Sequence, residues 1–507
     1  MTFDSVIVGA GSAGCVLANR LSADAGVRVA LVEAGGPDDK QEIHIPAAFS
    51  KLFKSPYDWA YFTEEQPNLN HRRLYWPRGK VLGGSSSLNA MIYTRCSPGD
   101  FDQWARLGND GWSWNDVAPF FDRVQLDVSP LRTVNPLSEA FVRACEEEGI
   151  PRNDDFNGPR QEGAGVFYVT QKNGKRCSCA AAYLKPALRR KNLTVLTHAH
   201  TTRVLFEGTR AAGVEVVRNG QTTQLRAERE VILAGGAINS PQILMLSGVG
   251  AADALRKLGI AVVADLPGVG ENLQDHLSGG VAHESTRPVT LAAAESIGNI
   301  LQYLLFKKGM LTSNVAEAGA FIRTGRDGGV PDLELIFGPT FYMNHGFDNP
   351  PGHGYTVGAI LLHPKSIGTV RLRSADPMEA PAIDPRYFAH RDDATLLAEG
   401  LRLALRIARS KEFAAVRGAE VWPGPRGRSD EEFDAYMRDT VETLYHPVGT
   451  CKMGSDERAV VDSRLRVRGV EALRVVDASV MPTIVSGHPN SVVAMIAERA
   501  AEMIRGG

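Results

Sequence analysis

Asp4-Ser5-Val6-Ile7-Val8-Gly9-Ala10-Gly11-Ser12-Ala13-Gly14 stands near the start of the chain and carries its strongest fold signal. Residues 4–8 are a short apolar run that suits a buried strand. Three glycines follow in a G-x-G-x-x-G spacing, then a helical pattern with Val16, Leu17 and Leu21 as its apolar positions. A second apolar run, Val27 to Val32, ends at Glu33, followed by Ala34. Strand, glycine turn, helix, strand and acid form a dinucleotide-binding unit. Gly9, Gly11 and Gly14 permit a tight turn and bring a pyrophosphate close to the helix N-terminus. There Ser12, Ala13 and the free N–H groups favour an anion. Glu33 stands about 20 residues further on, where a carboxylate can accept both ribose hydroxyls of an adenosine and repel a 2′-phosphate. NADP is thereby disfavoured, while FAD and NAD stay equally compatible with this stretch.

The remaining composition narrows the class. The chain has 507 residues, 43% hydrophobic and 22% charged, with a net charge of −2. Those values exclude a disordered chain or a fibre, and no charge excess advertises nucleic acid or an anionic membrane. No leader pattern and no apolar run of about 18 residues is seen, so a cytoplasmic protein without an integral membrane segment is expected. Cys15, Cys96, Cys145, Cys177, Cys179 and Cys451 are too sparse for a disulfide scaffold. The C-x-C at 177–179 has no second pair, so no metal is expected. Glycine is in excess, at 51 residues.

Part of that excess is clustered. Pro77-Arg78-Gly79-Lys80-Val81-Leu82-Gly83-Gly84-Ser85-Ser86-Ser87-Leu88-Asn89 is a second cluster. Gly235-Gly236-Ala237-Ile238-Asn239-Ser240-Pro241-Gln242, running on to Gly250, is a third; it follows an apolar strand, Val231 to Ala234. Leu266-Pro267-Gly268-Val269-Gly270-Glu271-Asn272-Leu273-Gln274-Asp275-His276 is a fourth. Near the C-terminus come Tyr445-His446-Pro447-Val448-Gly449-Thr450, Val475-Val476-Asp477-Ala478-Ser479 and Ser486-Gly487-His488-Pro489-Asn490. Residues 491–505 then have helical spacing, with Asn490 or Ser491 as the expected cap.

In these motifs the chain closely resembles the glucose–methanol–choline family of FAD-dependent oxidoreductases, from Phe3 to the C-terminus. The resemblance implies an α/β fold, α+β overall. Its Rossmann-like FAD-binding domain would be discontinuous in sequence, and a substrate-binding domain built on a large antiparallel sheet would be inserted in it. The expected division is 1–150 and 151–284 as FAD-binding parts one and two, 285–435 as substrate domain and 436–507 as FAD-binding part three. It also implies FAD contacts for Arg78, Val81, Gly83, Gly84, Ser85, Asn89, Ala90, Met91, Val204, Ala234, Tyr445, Asp477, Ala478 and Pro489. Some members carry, before the asparagine, a histidine bonded to the flavin. Here that residue is Leu88, so non-covalent FAD is expected.

By position, His446 and His488 match the family's active-site pair. Histidine suits proton abstraction because its ordinary pKa, about 6.5, lies near working pH. His446 is expected to take the hydroxyl proton while hydride passes to flavin N5, and His488 to hold the substrate oxygen. Many relatives have asparagine at the second position, and Asn490 stands two residues on, so that place stays open between His488 and Asn490. In the middle segment, Asp332-Leu333-Glu334-Leu335-Ile336-Phe337 alternates as a half-buried strand should. Phe337, Phe341 and Tyr342 are candidate substrate contacts, and Glu317 alone does not support a site for a cationic head group such as choline's. The expected reaction is oxidation of an aromatic or apolar primary alcohol to its aldehyde, with O2 or a quinone or carrier as acceptor. A choline- or polyol-type dehydrogenase and a FAD-containing hydroxynitrile lyase are the alternatives. Retention of both histidines weighs against a light-driven decarboxylase.

Overall fold

The computed structural model describes residues 1–326, 329–427 and 429–506. Two seven-stranded sheets organise it, and the candidate site lies between them. In the first, Thr2–Val8 lies parallel between Val29–Val32 and the end of Gln221–Leu233, and Leu193–Leu196 extends the parallel set. Val6, Ile7, Val29, Ala30 and Leu31 are fully buried, as a parallel sheet covered on both faces requires. The antiparallel strands Ala199–Glu207 and Arg210–Arg218 continue from the long Gln221–Leu233 strand. Leu473–Val475 pairs with that strand's end, so the C-terminal segment returns to the N-terminal sheet. The fold is thus an α/β, Rossmann-like body assembled from distant pieces of chain.

The first helix, Ser12–Leu21, follows the glycine turn, and the last helix, Asn490–Arg505, packs beside it. Glycine is obligatory at two points between turn, helix and strand. A Cβ on Gly14 would stand 1.9 Å from Gly9 O, and Gly9 itself has φ +97° with a Cβ position 2.5 Å from Ala234 O. The expected cap of the last helix is not formed. Pro489 holds the N-cap position without a side-chain bond, Asn490 Oδ1 accepts from Ser12 Oγ, and Ser491 Oγ donates to Thr94 O. Both helix N-termini therefore keep their leading N–H groups free of side-chain caps.

The second sheet is antiparallel throughout, in the order Arg417–Trp422, Leu277–Ser285, Gly354–Leu361, Leu333–Gly338, Ala318–Ile322 and Gly163–Val166. Glu442–Thr443 pairs with Leu277–Ser285. The sheet thus draws Gly163–Val166, Leu277–Ser285 and Glu442–Thr443 from either side of the 285–435 segment. The helix Arg391–Ala408 covers one face, with Leu401 against Gly279 and Gly400 against Leu333. Ser278, Gly280, Ile336, Thr356 and Gly358 look the other way, into the cavity. All six cysteines are free and buried. Among the described residues, no helix is long and apolar enough to cross a membrane and no metal-binding cluster is found.

Candidate active site

One cavity of about 350 Å³ runs from the N-terminal glycine turn to the paired histidines. Gly9, Gly11, Ser12, Ala13, Glu33, Ala34, Arg78, Gly84, Ser85, Asn89, Ala90, Met91, Ala234, Tyr445, Asp477, Ala478 and Pro489 line it. His446, His488 and Asn490 line it too. Three predicted residues lie directly behind the wall. Gly14 seats the first helix against Gly9, and Val81 is buried with Ile43, Leu52 and Leu88. Gly83 donates its N–H to Ala10 O at 2.7 Å, tying the second glycine cluster to the first. Val204 is not in the wall: its N–H donates to Ser247 Oγ at 2.7 Å, and Ala199, His200 and Thr201 of the same strand face the cavity instead.

The wall is shaped for a dinucleotide. A Cβ on Gly11 would meet no protein atom closer than Ala234 O at 4.0 Å, so this backbone is open to a ligand. Two uncapped helix N-termini face the same space, a setting that favours a pyrophosphate. Glu33 accepts from Ala10 N and Gly35 N, each at 2.8 Å, and keeps further lone pairs for hydroxyls. Burial pushes its carboxyl up to about 7 against the pull of those two N–H groups. Asp477 accepts from Gly236 N, Ser240 Oγ, Ser479 N and Ser479 Oγ, which fixes the third cluster to the C-terminal segment. Arg176, fully buried, holds Asn89 Oδ1 at 2.7 Å and steadies the loop after the second cluster. Leu88, at the cavity wall, offers no nucleophile to a flavin.

At the other end the histidines form a directional chain. The His276 and His446 Nδ1 atoms are 2.9 Å apart, and His276 Nε2 lies 3.0 Å from the Leu362 carbonyl. A carbonyl only accepts, so His276 carries its proton on Nε2. Burial, reinforced by His363 and His488, lowers His276 to about 3, so its Nδ1 is bare. Nδ1 of His446 must then be the donor. Burial likewise holds His446 well below the ordinary histidine value, helped by His488, His276 and Arg78. Its Nε2 is therefore left as a free lone pair. His446 N–H also donates to Asp275 Oδ1 at 2.7 Å, and Tyr387 and Thr443 hold the other carboxylate oxygen.

His488 stands against His446, the rings nearly perpendicular and 5.0 Å apart. Its Nε2 is 3.0 Å from Glu334 Oε1. Asn490 is elsewhere in the cavity, tied to Ser12 at 2.6 Å. Sequence reasoning missed His276 and Glu334. Glu334 had a visible signal: in an alternating strand it shares a face with Ile336, the cavity-lining residue.

The substrate predictions divide on the same alternation. Phe337 points to the opposite face, fully buried 5.2 Å from Phe141. Phe341 packs on Trp422 at 5.8 Å, away from the cavity. Tyr342 does line it, with Phe49, Phe53, Val315, Ile336 and Met343. Glu317 is spent internally, accepting from Asn135 N, Ser138 Oγ and Ser313 Oγ at 2.6–2.7 Å. Glu442 is an acid that does border the chamber.

Known proteins carry the same framework. The GMC oxidoreductase family models match residues 3–278 and 364–497. An alcohol dehydrogenase [acceptor] of Pseudomonas putida is 45% identical over 99% of this chain and 95% of its own. The mitochondrial choline dehydrogenase of Homo sapiens is 45% identical over 99% of this chain and 90% of its own. Among solved structures, pyridoxine 4-oxidase from Mesorbium loti superposes with a TM-score of 0.91 at 33% identity, covering 100% of this chain and 99% of that one. The chain belongs to the GMC oxidoreductase family and is an oxidoreductase of the FAD-binding kind.

Proposed function

We propose that this GMC oxidoreductase oxidises an apolar primary alcohol to its aldehyde, with His446 as the base and FAD held without a covalent bond. Bound FAD supplies the acceptor for the hydride that leaves the alcohol carbon. The glycine turns at 9–14 and 83–84, with Glu33, Asn89 and Asp477, would hold that cofactor. His446 takes the hydroxyl proton on Nε2, the nitrogen left bare by the bond to His276. His488, fixed by Glu334, orients the substrate oxygen beside it. The aromatic and aliphatic wall of Phe49, Phe53, Tyr342, Val315 and Ile336 excludes water and suits an apolar alcohol. The observation that carries the reading is the His446–His276–Leu362 chain, since it assigns the free lone pair to the cavity histidine.

A second reading, a cationic alcohol such as choline, is supported by Glu442 in the chamber wall and by the choline dehydrogenases among the relatives. Mixing the holoenzyme anaerobically with benzylic, furanic, pyridoxine-like and choline-type alcohols separates the two. Bleaching of the yellow flavin by the apolar set, with aldehyde formed, supports the first reading, whereas bleaching by choline alone supports the second. Release of cyanide from a cyanohydrin without bleaching would replace both with a lyase. Admitting oxygen afterwards tells an oxidase from an enzyme that needs a quinone or carrier.

A further inference from the structure

The helix Ile297–Phe306 is amphipathic in the wrong direction for a core element. Its apolar residues Ile297, Ile300, Leu301, Leu304 and Leu305 fall at i, i+3, i+4, i+7 and i+8, the stripe that a globular helix turns inward. Here the stripe faces solvent. Ile297 is 79% exposed, Leu301 50% and Leu305 70%. The opposite side supplies the attachment: Tyr303 is buried, and Asn299 donates to Ala293 O. Exposed apolar residues are ordinary when scattered, but a continuous stripe of this size marks a contact surface.

The surroundings identify the partner. Lys307 and Lys308 follow the stripe, and the helix's neighbouring acid, Glu295, is paired with Lys51 at 2.5 Å. An apolar stripe ending in lysines is the make-up of helices that lie in the headgroup zone of an anionic bilayer. Ten residues span about 15 Å, half of a hydrocarbon core of about 30 Å, so the helix lies in the plane and does not cross. It rides on Met310–Thr312, which packs on Pro46–Leu52. That segment and the residue after it put Phe49 and Phe53 into the cavity wall. Beyond them Phe347 is 40% exposed, with Lys54 over its ring at 4.3 Å.

We infer that the Ile297–Phe306 face docks the protein on anionic lipid, with the cavity wall of Phe49 and Phe53 next to the bilayer surface. The docking does not depend on the chemistry proposed above. The benefit of its position does rest on that reading, because an apolar alcohol or quinone concentrates in lipid.

Flotation of the holoenzyme with vesicles tests this, using pure phosphatidylcholine and a three-to-one mixture with phosphatidylglycerol. The wild type should float with the mixed vesicles, about 30-fold more than with phosphatidylcholine, as two lysines predict. Ile297→Ser/Leu301→Ser/Leu305→Ser should lose vesicle binding at least about 10-fold while keeping its flavin spectrum and circular dichroism. Lys307→Glu/Lys308→Glu should lose the preference for anionic vesicles. Failure of the wild type to float with either vesicle overturns the inference. So does a dimer by light scattering that the triple serine variant converts to monomer, since a second copy would then cover the face. Flotation reads location alone, so failure of alcohol oxidation leaves it standing.

Discussion

The two ends of the cavity are built on different plans. Around Gly9–Gly14, Gly83–Gly84 and Gly235–Gly236 the ligand wall is largely backbone: N–H groups, two uncapped helix ends and a position where a Cβ would enter open space. Around His446 the wall is side chain, and its parts come from four separated stretches, His276, Glu334, His446 and His488. Backbone binding needs a local turn, so one short motif encodes it. Side-chain chemistry needs long-range assembly, so no single motif does. The first end would hold the cofactor, and the second would handle the proton.

Substitutions at the two ends should have separable effects. The largest effect on rate is expected for His446→Ala, which should slow anaerobic flavin reduction by at least about 100-fold without emptying the cofactor site. Gly14→Val should do the reverse. Its side chain collides with Gly9 O, so the helix must shift, and bound flavin absorbance should fall about 10-fold while any filled molecules react normally. His276→Ala leaves the buried His446 Nδ1–H without a partner, a loss of about 1–3 kcal/mol. Flavin reduction should slow by roughly 10- to 100-fold in stopped-flow mixing.

The pH behaviour discriminates further. Because burial holds His446 neutral, the acid limb of flavin reduction should fall below pH 6.5. The sign for stability follows from His276, lowered from 6.5 to about 3 in the folded protein. Below about 6.5 the unfolded chain binds a proton that the folded chain does not, so this contribution is present above that pH and lost as pH falls. The Tm gap between wild type and His276→Ala should therefore narrow between pH 6.5 and 3. The smallest effect is expected for Glu442→Gln. Under the apolar-alcohol reading its KM changes less than about 3-fold, within one neutral hydrogen bond. A 10-fold rise in KM for choline would favour the cationic reading.

The backbone end was largely legible in the sequence: the spacing of the first glycine cluster points to a dinucleotide, and the second and third stand in contiguous motifs that resemble the family's, whereas Gly268 and Gly270 of the fourth pack on Arg458 O and Val370 O. Val204 lies three residues past Thr201, the last cavity-facing residue of its strand, and the pairing register shifts between Thr201 and Arg203. The side-chain end was legible only in part. His446 and His488 stood in recognisable motifs. His276 closed a quoted cluster, yet its partner lies 170 residues on, and nothing local announces that contact. Phe337 was chosen for its aromatic ring, whereas the period of the strand puts Glu334 and Ile336 on the cavity side and Phe337 in the core. The overall charge of −2 gave no hint of a lipid surface, since the lysines concerned are a local pair beside one apolar stripe.

The separation of cradle and base is tested most directly by mixing His446→Ala holoenzyme anaerobically with an alcohol that bleaches the wild type. A full oxidised flavin spectrum is expected before mixing, at wild-type occupancy, with a yellow colour that persists through the time in which the wild type bleaches completely. Bleaching at the wild-type rate, or loss of the flavin together with the rate, would contradict it.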